Sequence, residues 1–200
     1  MEVIFLKAKQ RLVKQISLEG KRPYPLVKKF TSHHYKIDKT PEGFDQFYEL
    51  LIKYATQGAA LLKGTLKRKL KNESRARMSD RAAQTELLVL DLDGVEFPIS
   101  AKSILNEFDI QSIAEQFVTY LPPEFQNVSY IAQASASLGL DGKKVSMHLF
   151  FLLKDPIPPR VLKEWLRTLN YEIDFLANQL NLSANGQSIA YPLDVSLAEN

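Results

Sequence analysis

Asp91 and Asp93 stand one residue apart at the end of an aliphatic run, in the stretch Leu87-Leu88-Val89-Leu90-Asp91-Leu92-Asp93-Gly94. Four consecutive aliphatic residues read as a strand buried on both faces. Side chains alternate along a strand, so the two carboxylates share one face. Side by side they repel and raise each other's pKa unless a positive group sits between them. A divalent cation is the simplest such group, and hard oxygen ligands suit Mg²⁺ or Mn²⁺.

Further along, Ser146 and His148 are again two apart, in Val145-Ser146-Met147-His148-Leu149-Phe150-Phe151-Leu152-Leu153. A hydroxyl and an imidazole N–H on one strand face make a compact donor set for a phosphate, and Lys143 and Lys144 just before add positive charge. Taken alone, such a tripeptide is more often a satisfied, half-buried histidine. Asp194 closes Ile189-Ala190-Tyr191-Pro192-Leu193 as a third carboxylate at a strand end; in isolation it reads as a turn or cap residue. Between Lys63 and Arg77 the chain carries seven cations (Lys63, Lys67, Arg68, Lys69, Lys71, Arg75 and Arg77) against one acid, Glu73. That is either a solvated face or a surface for a polyanion. His33-His34 has no carboxylate at metal-ligand spacing and reads as surface.

The elements that must position these groups can be placed in outline. A helix is expected over Pro41–Gln57, capped by Thr40 and stopped by Gly58, with Phe44, Phe47, Tyr48, Leu51 and Ala55 on its apolar face. A short strand follows over 58–64, ahead of the basic segment. After the Asp91 strand come a helix over Asp109–Leu121, a strand over Val128–Ala134, a turn at Gly139–Lys144 and a strand over Val145–Leu153. Pro158-Pro159 opens what reads as the longest helix, with Leu162, Trp165, Leu166, Leu169, Ile173 and Leu176 on one face. The last strand covers Ser188–Tyr191. This mixture predicts an α+β fold with helices packed on a partly antiparallel sheet.

The chain has 200 residues, a net charge of +3 and no cysteine, which excludes disulfides and thiolate metal sites. Val3-Ile4-Phe5-Leu6 is too short for a signal-peptide core, and no apolar run approaches the ~20 residues of a membrane span. The expected compartment is the cytoplasm, with no membrane partner. Cations are frequent in the first thirty residues, where Pro23 and Pro25 interrupt any long helix.

The order of motifs (D-x-D at Asp91 and Asp93, S-x-H at Ser146 and His148, hydrophobic-D at Leu193-Asp194) resembles the archaeo-eukaryotic primase superfamily. It is most similar to the primase-polymerase domains of phage and plasmid replication proteins. Leu61-Leu62-Lys63-Gly64, Asn72-Glu73-Ser74-Arg75 and Tyr191-Pro192-Leu193-Asp194 resemble the same branch. The likeness runs from about Gly58 to Asn200 and leaves the basic segment 1–40 outside it.

The resemblance implies an RNA-recognition-motif-like catalytic sheet with an N-terminal α/β module, forming one catalytic domain over 1–200. It also implies template-dependent nucleotidyl transfer, as a DNA primase or polymerase in the replication of a mobile element. Asp91, Asp93 and Asp194 would then hold two Mg²⁺ or Mn²⁺ ions about 4 Å apart. Ser146, His148 and Lys144, with Lys63 and Arg75, would hold the nucleotide triphosphate. Lys67, Arg68, Lys69, Lys71 and Arg77 would meet nucleic acid. Single-stranded DNA template, primer strand and nucleoside triphosphates are the expected partners, with no organic cofactor. A helicase domain C-terminal to this chain is expected, the chain reading as the N-terminal piece of a longer protein in a bacterial, archaeal or phage-infected cell.

Two alternatives share these residues. An aliphatic run ending in D-x-D-G also begins haloacid-dehalogenase-type phosphatases, where Asp91 would be the nucleophile and Asp93 the general acid. No later acidic pair of that family's kind follows, however. A non-catalytic single-stranded nucleic-acid binder could use Tyr130 and Phe150 as stacking platforms. Three clustered carboxylates facing a polyanion argue against it.

Overall fold

The computed structural model describes every residue except 18–19, 23, 98–109, 139–143, 184 and 197–200, and the side chain of Lys21. Asp109, expected to start a helix, and most of the expected 139–144 turn lie outside the described residues. The fold is mixed α+β with antiparallel sheets, and four helices occur among the described residues. The chain divides into two compact units, one formed by Met1–Leu88 with Leu152–Arg160, the other by Val89–Phe151 with Val161–Leu197.

In the first unit, β1 (Glu2–Lys7) is the middle of a three-stranded sheet. It pairs antiparallel with β4 (Thr31–Lys36) on one side and β5 (Ala60–Leu62) on the other. Val3, Ile4, Phe5 and Leu6 are all buried, as the central strand of a covered sheet requires. A hairpin of β2 (Gln15–Ser17) and β3 (Gly20–Arg22) precedes β4.

Helix α1 (Pro41–Thr56) begins as expected. The Gly43 N–H donates to Thr40 Oγ1 at 3.2 Å, and Pro41 sits in the first turn. Gly43 is obligatory, since a Cβ there would lie 2.0 Å from the Asp38 carbonyl oxygen. The buried stripe is Gly43, Phe47, Leu50, Leu51 and Tyr54, so Tyr48 and Ala55, expected on the apolar face, point to solvent. Tyr54 wins its place by stacking on Phe5 at 4.2 Å and sharing a 2.7 Å hydroxyl contact with Tyr35.

The basic segment is neither a helix nor a loose face. Phe30 and Glu73 exchange backbone hydrogen bonds, Leu66 bridges Ser79, and Leu66 and Leu70 sink into a cluster with Ile4, Leu6 and Leu62. The apolar residues interleaved among the cations thus pin the segment to the sheet.

The second unit is built on a sheet of order β6 (Thr85–Glu96), β8 (Lys144–Ile157), β7 (Ile131–Ala134), with β7 and β8 antiparallel. The boundary between units falls inside β6 and inside β8. Val145, Met147, Leu149 and Phe151 form one buried face of β8. On that side Phe151 meets Phe125 and Tyr130, and Phe125 stacks on Trp165 at 5.3 Å.

Helix α2 (Ile110–Val118) buries Ile113, Ala114, Phe117 and Val118. A second aromatic cluster joins Phe97, Phe117, Tyr120 and Phe175. Helix α3 (Pro159–Glu172) is two residues shorter than α1, not the longest, because Ile173 adopts an extended conformation (ψ 107°). A short α4 (Asp174–Ala177) and a small hairpin of β9 (Asn181–Leu182) and β10 (Ile189–Ala190) follow.

Candidate active site

Strand β6 carries Asp91 and Asp93 on one side and Leu92 in the core on the other. The alternation then slips by one residue, for Val95 and Phe97 are the next buried positions. Gly94 sits at the slip with φ +69°, the left-handed conformation of a bulge glycine. Its N–H is thereby turned toward β8, where it donates to Ser146 Oγ at 2.9 Å.

On β8, Lys144, Ser146, His148 and Phe150 share the face opposite the Met147 side. Ser146 is 2% exposed, and its hydroxyl, accepting from Gly94, retains its own proton for another acceptor. His148 Nε2 lies 3.3 Å from Asp91 Oδ2, an ion pair when the imidazole is protonated. Its Nδ1 is buried and has no hydrogen-bond partner among the described residues. Gln133 of β7 stands opposite His148 in register.

The third acid arrives by backbone pairing. Leu92 bridges Leu193 antiparallel, the Asp194 N–H donates to the Asp91 carbonyl at 2.9 Å, and the Asp93 N–H reaches the Pro192 carbonyl at 3.4 Å. Residues 192–194 therefore run alongside the Asp91–Asp93 stretch. The Asp194 carboxylate accepts from the Ser196 N–H (2.7 Å) and hydroxyl (2.9 Å). The three acids are neighbours by strand position. Among the described residues, no group of three or more His, Asp or Glu side chains is gathered to hold a metal ion.

What fixes this pairing is a residue that pattern reading passed over. Asn170 of α3 is fully buried. Its Nδ2 donates to the carbonyls of Leu166 (2.8 Å) and Leu193 (2.9 Å), and its Oδ1 accepts from the Leu193 N–H (3.0 Å). One amide side chain thus satisfies both backbone groups of a buried residue, acting as the missing strand partner. The signal was present: Asn170 is a polar residue on a helix face that otherwise reads Leu162, Leu166, Leu169. Gln179 does similar work for Glu96, accepting from its N–H and donating to its carbonyl, each at 2.7 Å.

Beside Asp93 lies an open cavity of about 410 Å³, lined by Gly94, Glu96, Lys144, Tyr191 and Pro192 among others. Asp91, Asp93, Asp194, Ser146, His148 and Lys144 all belong to the second unit. Lys63, Arg75 and the cations Lys67, Arg68, Lys69, Lys71 and Arg77 belong to the first.

Within that group Arg68 is committed. Its guanidinium grips Glu73 through Nη1 (2.5 Å) and Nη2 (2.7 Å), and holds the Glu73 carboxyl down at about 2. Lys67, Lys69, Lys71 and Arg77 are exposed. Of the proposed stacking platforms, Phe150 is buried and Tyr130 packs against Phe151 at 5.6 Å.

The pairings β1–β4, β1–β5, β2–β3, β7–β8 and β9–β10 are all antiparallel, unlike the parallel doubly wound sheet that the phosphatase chemistry would call for. No described helix is long and apolar enough to cross a membrane. Comparison with family models, curated proteins and solved structures finds no match to the chain.

Proposed function

We propose that the second unit is the catalytic core of a template-dependent nucleotidyltransferase, a DNA primase or polymerase, and that its sheet is of the RNA-recognition-motif kind with the first unit as its N-terminal α/β module. One observation carries the reading. Three motifs far apart in the chain lie side by side, on β6, on β8 and on the 192–194 segment bridged to β6, with the Asp194 N–H on the Asp91 carbonyl and Ser146 on the Gly94 N–H. Carboxylates on β6 and the 192–194 segment stand next to candidate phosphate donors on β8, and phosphoryl transfer needs both charge neutralisation and positioning.

The donor chemistry fits Mg²⁺ or Mn²⁺. Asp91, Asp93 and Asp194 are hard oxygen donors on neighbouring backbone, and the partners that occupy two of them, His148 and Ser196, can be exchanged for a cation. A bound ion would lower the pKa of an attacking hydroxyl and offset charge on the phosphates. His148 and Ser146 then serve the triphosphate. The Ser146 hydroxyl keeps a proton to donate, and His148 Nε2, beside Asp91, is the imidazole edge turned to the carboxylates. Lys144 adds charge from the cavity wall, and 410 Å³ is within the usual range for a small-molecule pocket. Such a protein would work in the cytoplasm of a bacterial, archaeal or phage-infected cell.

The test is extension of a labelled primer on a single-stranded template with Mg²⁺ or Mn²⁺ and ribo- or deoxynucleotides. Extension is expected with the native chain and is expected to vanish in Asp91→Asn. Extension that persists in that variant would refute the assignment. If the native chain does not extend the primer, calorimetry decides. Metal-dependent nucleotide binding lost in Asp91→Asn would leave the site intact without catalysis by this length of chain, and no binding would refute the site.

A further inference from the structure

A second ligand-sized feature lies in the first unit, lined mostly by residues between Leu6 and Phe30, which the primase likeness leaves out, and closed by Arg75 and Arg77, which it includes. Tyr24 and Leu26 are 54% and 101% exposed, although both are large apolar residues two positions apart. Contiguous exposed apolar surface rimmed by polar groups is what marks an interaction site. They flank an open groove of about 970 Å³ whose floor includes Leu6, Leu12 and Phe30.

The rim is basic. Lys28, Lys29, Arg75 and Arg77 line the groove, and among the described residues no acid does. Arg77 holds φ 62°, a left-handed backbone that costs a bulky residue free energy and that glycine would adopt without strain. Lys14 rests 5.6 Å from the Tyr24 ring centre, so that ring already works as a cation–π platform.

We infer that this groove binds single-stranded nucleic acid, with bases against Tyr24, Leu26 and the apolar floor and phosphates on Lys28, Lys29, Arg75 and Arg77. An apolar floor within a rim of cations is the pattern for a chain whose backbone is anionic and whose bases are flat and apolar. A duplex hides those base faces, and an acidic peptide has no aromatic faces to stack. Binding here stands apart from catalysis at Asp91 and Asp93, so it is measured on the whole chain without metal or nucleotide.

The experiment is fluorescence anisotropy with a short labelled oligothymidylate, challenged by unlabelled duplex and by a glutamate-rich peptide. Tyr24→Ala should weaken binding about tenfold, within the range for loss of one stacked base. Reversing Lys28 and Lys29 together (K28E, K29E) should reduce the slope of log affinity against log salt by about 1.4. The same reversal at Lys154 and Arg160, outside the groove, should leave that slope near the native value. Arg77→Gly should weaken binding without lowering Tm, which separates loss of contact from loss of fold. No binding by the native chain, duplex or peptide competing as well as single strands, or an unaffected Tyr24→Ala would each overturn the inference. Absence of both primer extension and metal-dependent nucleotide binding, with oligothymidylate binding intact, would count against the catalytic reading alone.

Discussion

Asn170→Ala is the substitution whose cost can be worked most directly from the structure. The Leu193 N–H and carbonyl lie in a fully buried residue, and each has Asn170 as its side-chain partner. Truncation to Ala removes both bonds and leaves two buried backbone groups unsatisfied, at about 1–3 kcal/mol each. A central figure for the two together is about 4 kcal/mol, with the lost carboxamide volume adding to it. Trp165, the only tryptophan in the chain, sits on the same helix and stacks on Phe125, so its fluorescence reports the second unit.

For a urea slope of about 2–3 kcal/mol/M, the Trp165 midpoint should fall by about 1.3–2 M. Asn170→Asp keeps an acceptor for the Leu193 N–H but at neutral pH loses both donations and puts a carboxylate against two carbonyls. It should be at least as destabilised, with partial recovery once acid protonates the side chain. A midpoint shift below about 0.3 M in Asn170→Ala would refute the claim that this residue clamps the Asp194 segment.

His148→Ala should weaken nucleoside triphosphate binding several-fold while leaving oligothymidylate binding unchanged, measured by calorimetry and anisotropy; the reverse order would displace the phosphate site from β8. Gly94→Ala forces a Cβ onto a left-handed backbone and should cost about 1 kcal/mol, read from the Trp165 transition. Its nearest neighbour would be Lys144 Cδ at 3.9 Å, so conformation rather than crowding sets that cost.

Glu86 is held below its ordinary value by the Lys39 ammonium, aided by the chain's N-terminal amine. A depressed folded pKa means the stabilisation is complete above the ordinary value of 4.5 and is lost as pH falls through the lower folded value. Amide protection factors in β1, which allow for the intrinsic pH dependence of exchange, should therefore fall on acidification below that range, and less so in Glu86→Gln. An equal fall in both proteins would remove Glu86 from the account.

Much of the site was legible because its signals are local. The D-x-D pair ends an aliphatic run, and alternation alone sets Asp91 and Asp93 on one face. Thr40-Pro41 marks a helix start through bonds made within four residues. What escaped the sequence depends on partners far along the chain. Val3-Ile4-Phe5-Leu6 becomes a central strand only because β4 and β5 flank it. Helix α1 turns Tyr54 inward rather than Ala55 because Phe5 and Tyr35 wait there. The expected continuation of α3 through Ile173 and Leu176 breaks, yet both residues are still buried, so the apolar stripe was real while the helix was not continuous. A charge count likewise could not tell that Arg68 is spent on Glu73, and nothing in the carboxylate pattern shows that Asp194 is tied to Ser196.

The chain enters the second unit within β6, leaves it within β8 and re-enters at the start of α3. Neither unit is therefore a contiguous stretch of polypeptide. No single truncation point yields either one whole, and a gene fragment ending near Leu88 would lack the first unit's own residues 152–160. Inheritance is constrained in the same way. Recombination that exchanges whole modules at their borders has no single border to use here, because a crossover near Leu88 would leave residues 152–160 of the first unit behind with the second, and a length change within β8 falls in a strand that both units share.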